Sequence, residues 1–522
     1  MILKVYKPLV YVAVFIITFL SLYKNQFGVA AADFYERFQH GSESLVIGKI
    51  VADQNNLTIP SERNLAVATI GKFSPRPDYQ FLYQGYTILD NKKLEDVALT
   101  TAVINDQNWI GGVSKNFSGV VINHDPNIDN YVGRKIIIDD KPRIITLTNH
   151  VANFTNIRIS GDMISAPSKD DSLNFNISGE KIDPSVISLA PYSSNFGIQG
   201  IIFSKLYDIV KGERSILYMA NAALFAFVII ALSTLYSRIF PKPFPVIFFL
   251  SISLSPWMTS FANNLYWISF SWLLPAIFSA GFLLSKSTLY KWLWLILLYF
   301  AFLFKCLAGY EYISTIILFA AAPYIYLLLL GNKNANHPSS FKAIMLVCII
   351  GVAGFTTALL IHANTRGTSI LAGLQSIYEL DVKRRTYGNP SDFGQESFAA
   401  LSSSPIDVLR TYIVSWRTEL IRFFSGSTFV VLLSGAVLTI ISRIYLFKKI
   451  NNSDFALFIA FILPPVSWLV LAKGHSGVHT HMNFVLWYFG FVAAIFHICL
   501  NGLKIIIFST YTWAKNSRLE DI

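Results

Sequence analysis

SILYMANAALFAFVIIALSTLY, residues 215–236, carries no Asp, Glu, Lys or Arg, and Arg238 and Lys242 stand just beyond its end. A helix that crosses the roughly 30 Å hydrocarbon core of a bilayer needs about 20 mostly apolar residues, and this run has them. The same test, applied outward in both directions, picks out ten segments, centred on 8–24, 215–236, 244–261, 267–285, 290–308, 312–331, 343–362, 427–446, 455–472 and 483–501. Composition agrees. Only 14% of the 522 residues are charged and 53% are hydrophobic, whereas an ordinary soluble domain carries about 25% charged residues. The formal charge of +11 does not point to nucleic acid, because Lys and Arg gather at the ends of apolar runs. Cys306, Cys348 and Cys499 all lie inside such runs, which excludes a disulfide framework or a thiolate zinc site.

Basic residues also set an expected orientation. Lys4 and Lys7 precede the first segment, and Arg238, Lys242, Lys286, Lys291, Lys333, Lys342, Arg443, Lys448 and Lys449 fill every second short connection. Lys504, Lys515 and Arg518 follow the last. Under the positive-inside rule these connections and both termini are cytoplasmic. The reading divides the chain into a first helix (1–24), a large outer loop (25–214), helices two to seven (215–362), a second outer loop (363–426), helices eight to ten (427–501) and a cytoplasmic tail (502–522). The run Val29-Ala30-Ala31-Ala32 looks like a signal-peptidase site, but the reading retains helix one. Within the large loop, β-rich runs separated by turns predict a module at about 97–160, with Asp139-Asp140-Lys141-Pro142 as a hairpin turn. Residues 197–211 read as an amphipathic surface helix.

Candidate chemistry sits on the outer connections. AADFYERF, residues 31–38, places Asp33 and Glu36 three positions apart, on one face if the stretch is helical, with Ser42-Glu43-Ser44 close behind. Glu311 lies in the tight connection GYEY, beside Tyr310 and near Lys305. An ionisable group at that depth is paired or functional. Asn263, Asn264, Tyr266 and Trp267 combine amide hydrogen-bonding groups with rings that stack on sugars or form an interfacial belt. Arg366 and Lys383-Arg384-Arg385 put positive charge on an outer loop, against the orientation rule; guanidinium forks suit phosphate. Lys473, His475, His479 and His481 share the last outer connection. No carboxylate stands beside the histidines and no HExxH occurs, so the expectation there is hydrogen bonding to phosphate or sugar; no residue is assigned as a metal ligand and no cofactor is expected, with a divalent metal left open.

SESLVIGKI (42–50), YSSNFGIQG (192–200), NNLYW (263–267), GYEY (309–312) and GHSGVHTHMN (474–483) carry a resemblance to the GT-C class of membrane glycosyltransferases, and more narrowly to bacterial O-antigen serotype-converting glucosyltransferases. The resemblance implies a GT-C-like polytopic α-helical fold in a bacterial inner membrane. It implies a polyprenyl-phosphate sugar donor, a lipid-linked glycan acceptor and a periplasmic reaction. Asp33 would be the general base, with Glu36 second, and Glu311 would orient substrate or Lys305. Arg366, Arg384, Arg385, Lys473 and His475 would meet the phosphate. The β-rich insertion departs from the compact first loop of simpler members. Three other readings stay open: an O-antigen polymerase, a transporter or flippase of lipid-linked saccharides, and a non-catalytic assembly partner.

Overall fold

A computed structural model describes residues 2–36, 38–59, 68–74, 188–331, 340–416, 418–447 and 453–520, together with strand segments between 102 and 177. The chain forms two compact units, one of Met1–Phe38, Ser194–Phe196 and Glu213–Ile522, the other of Gln39–Ser193 and Gly197–Gly212.

The first unit is helical. It opens with α1 (Ile2–Leu22) and α2 (Ala32–Glu36). Among the described residues, five helices are long and apolar enough to cross a membrane, or six when one bent pair is taken as a single span. The expected number of ten is met only to that extent. Of the other four segments, Phe270–Leu284 and Ile313–Leu329 are shorter apolar helices, while Pro8–Leu22 and Phe491–Ile507 are apolar stretches of the longer helices Ile2–Leu22 and Phe491–Glu520. At about 1.5 Å of rise per residue, a helix of 15 or 17 residues falls short of a hydrocarbon core about 30 Å thick. Phe270–Leu284 and Ile313–Leu329 are short for a visible reason: each starts after irregular backbone, at Asn263–Ser269 or Gly309–Tyr312. Nearly all of that backbone is buried, the condition under which non-helical chain is tolerated at membrane depth.

The bent pair, Phe244–Ser253 and Pro256–Ala262, turns through 61°. Ser255 accepts a hydrogen bond from the Met258 amide at 3.2 Å, and Pro256, which has no N–H to lose, occupies the first position of the new helix. The aromatic excess forms the core. Phe244 and Phe461 stand 5.0 Å apart, Phe248 and Tyr236 5.2 Å, and Phe319 and Phe489 5.4 Å, within the range of favourable ring pairs. One charged group is fully enclosed away from the site described below: Asp454 meets Arg443 at 2.7 Å and accepts from Asn501 at 2.8 Å. That network ties the helices Thr428–Phe447, Ser453–Leu471 and Phe491–Glu520 together.

In the second unit, α3 (His40–Gln54) packs against α4 (Ile198–Ile209) and strand β1 (Gly71–Ser74). Asp53 joins Lys49 at 2.7 Å and accepts from Ser204 at 2.5 Å, locking the two helices. Strand β1 pairs antiparallel with β9 (Ser188–Pro191). Between them lie β2 (Ala102–Ile104), β3 (Trp109–Val113), β4 (Gly119–Asn123), β5 (Lys135–Ile138), β6 (Lys141–Val151), β7 (Phe154–Ile159) and β8 (Phe175–Ile177). Their spatial order is β2-β8-β5-β6-β7-β4-β3. Ile138 stands opposite Lys141; the expected turn residues Asp139 and Asp140 between them lie outside the described residues. The sheet takes in β8, beyond the expected boundary near 160. The expected surface helix at 197–211 falls on α4, whose buried side packs on α3 and whose exposed side carries Ile202, Lys205, Asp208 and Ile209.

Candidate functional site

The connection GYEY joins the helix Thr288–Ala308 to the helix Ile313–Leu329, and each of its residues has a discernible task. Gly309 leaves room for a carboxylate: a Cβ there would overlap Oε2 of Glu311. Tyr310 bonds through its hydroxyl to Nδ1 of His362 at 3.1 Å and stacks on that ring. Tyr312 holds a left-handed backbone, φ +66°, a conformation that costs a non-glycine residue on the order of 1–3 kcal/mol and concentrates at functional sites. Its hydroxyl donates to Asn483 at 2.8 Å, and its ring lies parallel to Trp267 at 5.9 Å.

Glu311 is buried, and Arg385 reaches it at 3.3 Å. Lys305, also buried, donates to the Gly309 carbonyl at 2.5 Å and lies within the electrostatic reach of Glu311 and Arg385. Arg385 comes from a turn, Lys383–Arg385, that follows a π-helical turn, Tyr378–Val382. Asp381 in that π turn is the hub. It pairs with Arg366, with Arg384 at 3.3 Å and with Arg385 at 3.8 Å. Arg366 closes the helix Ser340–Arg366 and donates from Nε to Ser376 at 3.2 Å. Lys305, Arg366, Arg384 and Arg385 thus converge around Glu311 and Asp381.

His475 completes the cluster from the helix Lys473–Val478. Its ring lies 4.4 Å from that of His479, and its Nδ1 meets Asn483 at 3.4 Å. Burial holds His475 well below the usual histidine range, and His479, Arg385 and Arg384 push the same way. Burial, then His481 and the same arginines, lowers His479 to about 4. Both imidazoles are neutral hydrogen-bonding groups at neutral pH. The sign of the linkage follows: between pH 6.5 and about 4 the unfolded chain binds more protons at these positions than the folded one. Thermal stability is accordingly expected to fall as pH drops through that window, with a flatter dependence in His479→Gln, measured by melting in detergent micelles.

Gly474 allows the close approach of the last connection, because a Cβ would strike the backbone carbonyl of Arg384. Gly474→Ala is expected to lower stability by about 1–3 kcal/mol through overpacking, measurable as a reduced melting temperature.

The structure brings together Lys305, Tyr310, Glu311, Arg366, Arg384, Arg385, His475 and His479. Other expected site residues are used differently. Lys473 donates to the carbonyls of Leu401 and Ser403 at 2.7 and 2.8 Å, closing a helix C-terminus rather than standing open to phosphate. Trp267 is buried, edge-on to Phe261 as well as stacked on Tyr312, and presents no face to a sugar. Asn264 is also buried; it donates to the Phe38 carbonyl at 3.2 Å and accepts from the Tyr266 amide at 3.0 Å.

The aromatic residues of AADFYERF answer to packing. Phe34 and Phe38 set their rings against Trp257 and Phe261, and the Tyr35 hydroxyl donates to the Leu22 carbonyl. They dock α2 and leave Glu36 exposed; the side chain of Asp33 lies outside the described residues. Sequence reasoning missed Asp381, His362, Tyr312 and Asn483. A signal for Asp381 was present, since Asp381 with Arg384 and Arg385 has the i, i+3 and i, i+4 spacing of helical ion pairs. Among the described residues, no group of three His, Cys, Asp or Glu side chains is arranged to hold a metal. No family model, no curated protein and no solved structure matches this chain.

Proposed function

We propose that the protein is a polytopic membrane glycosyltransferase, which moves a sugar, a hexose such as glucose, from a polyprenyl-phosphate donor to a lipid-linked surface polysaccharide, the O-antigen. In this reading all ten apolar segments span a bacterial inner membrane, both termini are cytoplasmic, and the reaction takes place on the periplasmic face.

One observation carries the proposal: the cationic cluster of Lys305, Arg366, Arg384 and Arg385 gathered around Glu311 and Asp381. Phosphate released from a polyprenyl-phosphate sugar gains charge as the glycosidic bond breaks, and preorganised cations in a partly dry setting stabilise that change most. Arg384 and Arg385 supply fork-shaped donors suited to phosphate oxygens. Neutral His475 and His479 add hydrogen bonds without adding charge. Glu311 aims Arg385 and helps neutralise Lys305. Asp33, on the short helix after helix one, takes the acceptor hydroxyl's proton, with Glu36 as the alternative base.

The test is mass spectrometry of the host's surface glycan with the intact chain, with the gene deleted, and with Asp33→Asn at matched expression. Loss of one hexose increment per repeat in both defective strains is the expected result. Shortened chains built of unchanged repeats would make the protein a polymerase instead. A glycan identical in all three strains would leave transport or assembly.

A further inference from the structure

The second outer connection contains an inside-out helix. From Ile370 to Val382 the chain runs through an α-helix (Ile370–Ile377) and directly into the π turn Tyr378–Val382. Its buried side carries Gly373, Ser376 and Asp381, with Ile377 the single large apolar residue there. Its exposed side carries Ile370, Leu371, Tyr378, Leu380 and Val382, with Gln375 and Glu379 among them; Leu371 is 76% exposed. A helix on the surface of a water-soluble domain shows the reverse pattern. Exposed leucines facing water and a buried aspartate facing protein would be unfavourable on both counts.

A second, independent observation fixes where this segment lies. Gly367 and Gly373 allow it to fold back tightly on the last turn of the preceding helix: a Cβ on Gly373 would overlap the Ala363 carbonyl oxygen, and one on Gly367 would overlap the Gly373 amide. Ser369 caps the returning helix by accepting from the Ala372 amide at 3.2 Å. That preceding helix, Phe341–Arg366, is a candidate membrane span and only 22% of its apolar window is buried within the protein. Its exposed Phe341, Met345, Ile349, Val352, Leu360 and Ile361 form a lipid-facing surface, and the exposed apolar residues of 370–382 follow it across the three-residue turn Gly367–Ser369. Lys383, paired with Glu379 at 2.5 Å, and the half-exposed Arg384 follow at the polar edge.

We infer that residues 370–382 lie in the interfacial layer of the bilayer, with Leu371, Tyr378, Leu380 and Val382 among lipid acyl chains and Lys383 and Arg384 at headgroup level. Bilayer lipid is thus the partner of this face. The π turn that holds Asp381 is in turn kept at a set depth relative to the membrane surface.

Two measurements test this on the full chain in phosphatidylethanolamine–phosphatidylglycerol vesicles. In the unaltered protein, photolysis of a phospholipid bearing an acyl-chain diazirine, followed by peptide mapping, is expected to place adducts within 370–382. Adducts confined to the spanning helices would overturn the inference. The second places spin labels singly at Leu371, Tyr378 and Val382, and at Asn389 and Ser391 as controls, in a chain with Cys306, Cys348 and Cys499 replaced by alanine. Collisions with oxygen are expected to exceed those with a water-soluble nickel chelate at the first three sites, and the order to reverse at the controls. Nickel-dominated collisions at 371, 378 and 382 would put the face in water. Labels there shielded from both quenchers would mean a protein partner or a second copy covers it. Either result overturns the lipid assignment.

Discussion

Asp33→Asn is expected to lower sugar transfer by roughly 10²–10⁴-fold, the usual contribution of a positioned general base, with no loss of expressed protein. The carboxamide is nearly isosteric with the carboxylate, so α2 should remain docked through Phe34, Tyr35 and Phe38, whose partners are Trp257, the Leu22 carbonyl and Phe261. What disappears is the carboxylate's charge and basicity, by which it takes the acceptor hydroxyl's proton. Glu36→Gln separates the two acids of AADFYERF: if Asp33 is the base, the Glu36 variant keeps most of its activity. Initial rates with a polyprenyl-phosphate hexose and a lipid-linked acceptor in membranes give the readout. Wild-type rates in Asp33→Asn together with collapse in Glu36→Gln would transfer the role to Glu36.

Asp381→Ala should produce the largest loss of stability, about 3–5 kcal/mol, the range for breaking one side of a buried ion pair. Arg366 and Asp381 are each almost fully enclosed, so truncating the aspartate removes the carboxylate that offsets the desolvation of a buried guanidinium. Arg384 and Arg385 lose an anchor at the same time. The double variant Arg366→Met/Asp381→Leu distinguishes buried-charge loss from loss of shape. Replacing both partners with apolar groups is often neutral or better, so its melting temperature should return most of the way to that of the parent. A double variant as unstable as Asp381→Ala would assign the penalty to packing.

The apolar runs were legible because a span is a statement about composition over some twenty residues, and each expected run coincides with an apolar helix or with the bent pair. Their lengths were less legible. Hydropathy does not register where a helix gives way to buried irregular backbone, as at Asn263–Ser269 and Gly309–Tyr312. Glu311 was readable as an isolated charge at depth; Lys305, its expected partner, donates instead to the Gly309 carbonyl. Arg385 was not readable as the ion-pair partner of Glu311, because the pair is closed by a turn 74 residues further along the chain. Lys473 shows the opposite failure. Its place among histidines suggested phosphate, whereas two carbonyls at the end of a separate helix, 72 and 70 positions back, claim its ammonium. Trp267 and Asn264 looked like a sugar platform for want of any sequence sign that Tyr312 would lie across the tryptophan.

The short apolar helices also set an order of events during biogenesis. Phe270–Leu284 and Ile313–Leu329 are each too short to hide their own ends, and the irregular backbone before them exposes amides that hydrocarbon does not solvate. They therefore gain a stable home only once longer partners such as Arg214–Tyr236 and Ser453–Leu471 surround them. Glu311 and Tyr312 sit at the mouth of one of these late arrivals. The cationic cluster is thus among the last parts of the chain to take shape, and a protein stalled before Ser453 would have its spans in the bilayer with no site to offer.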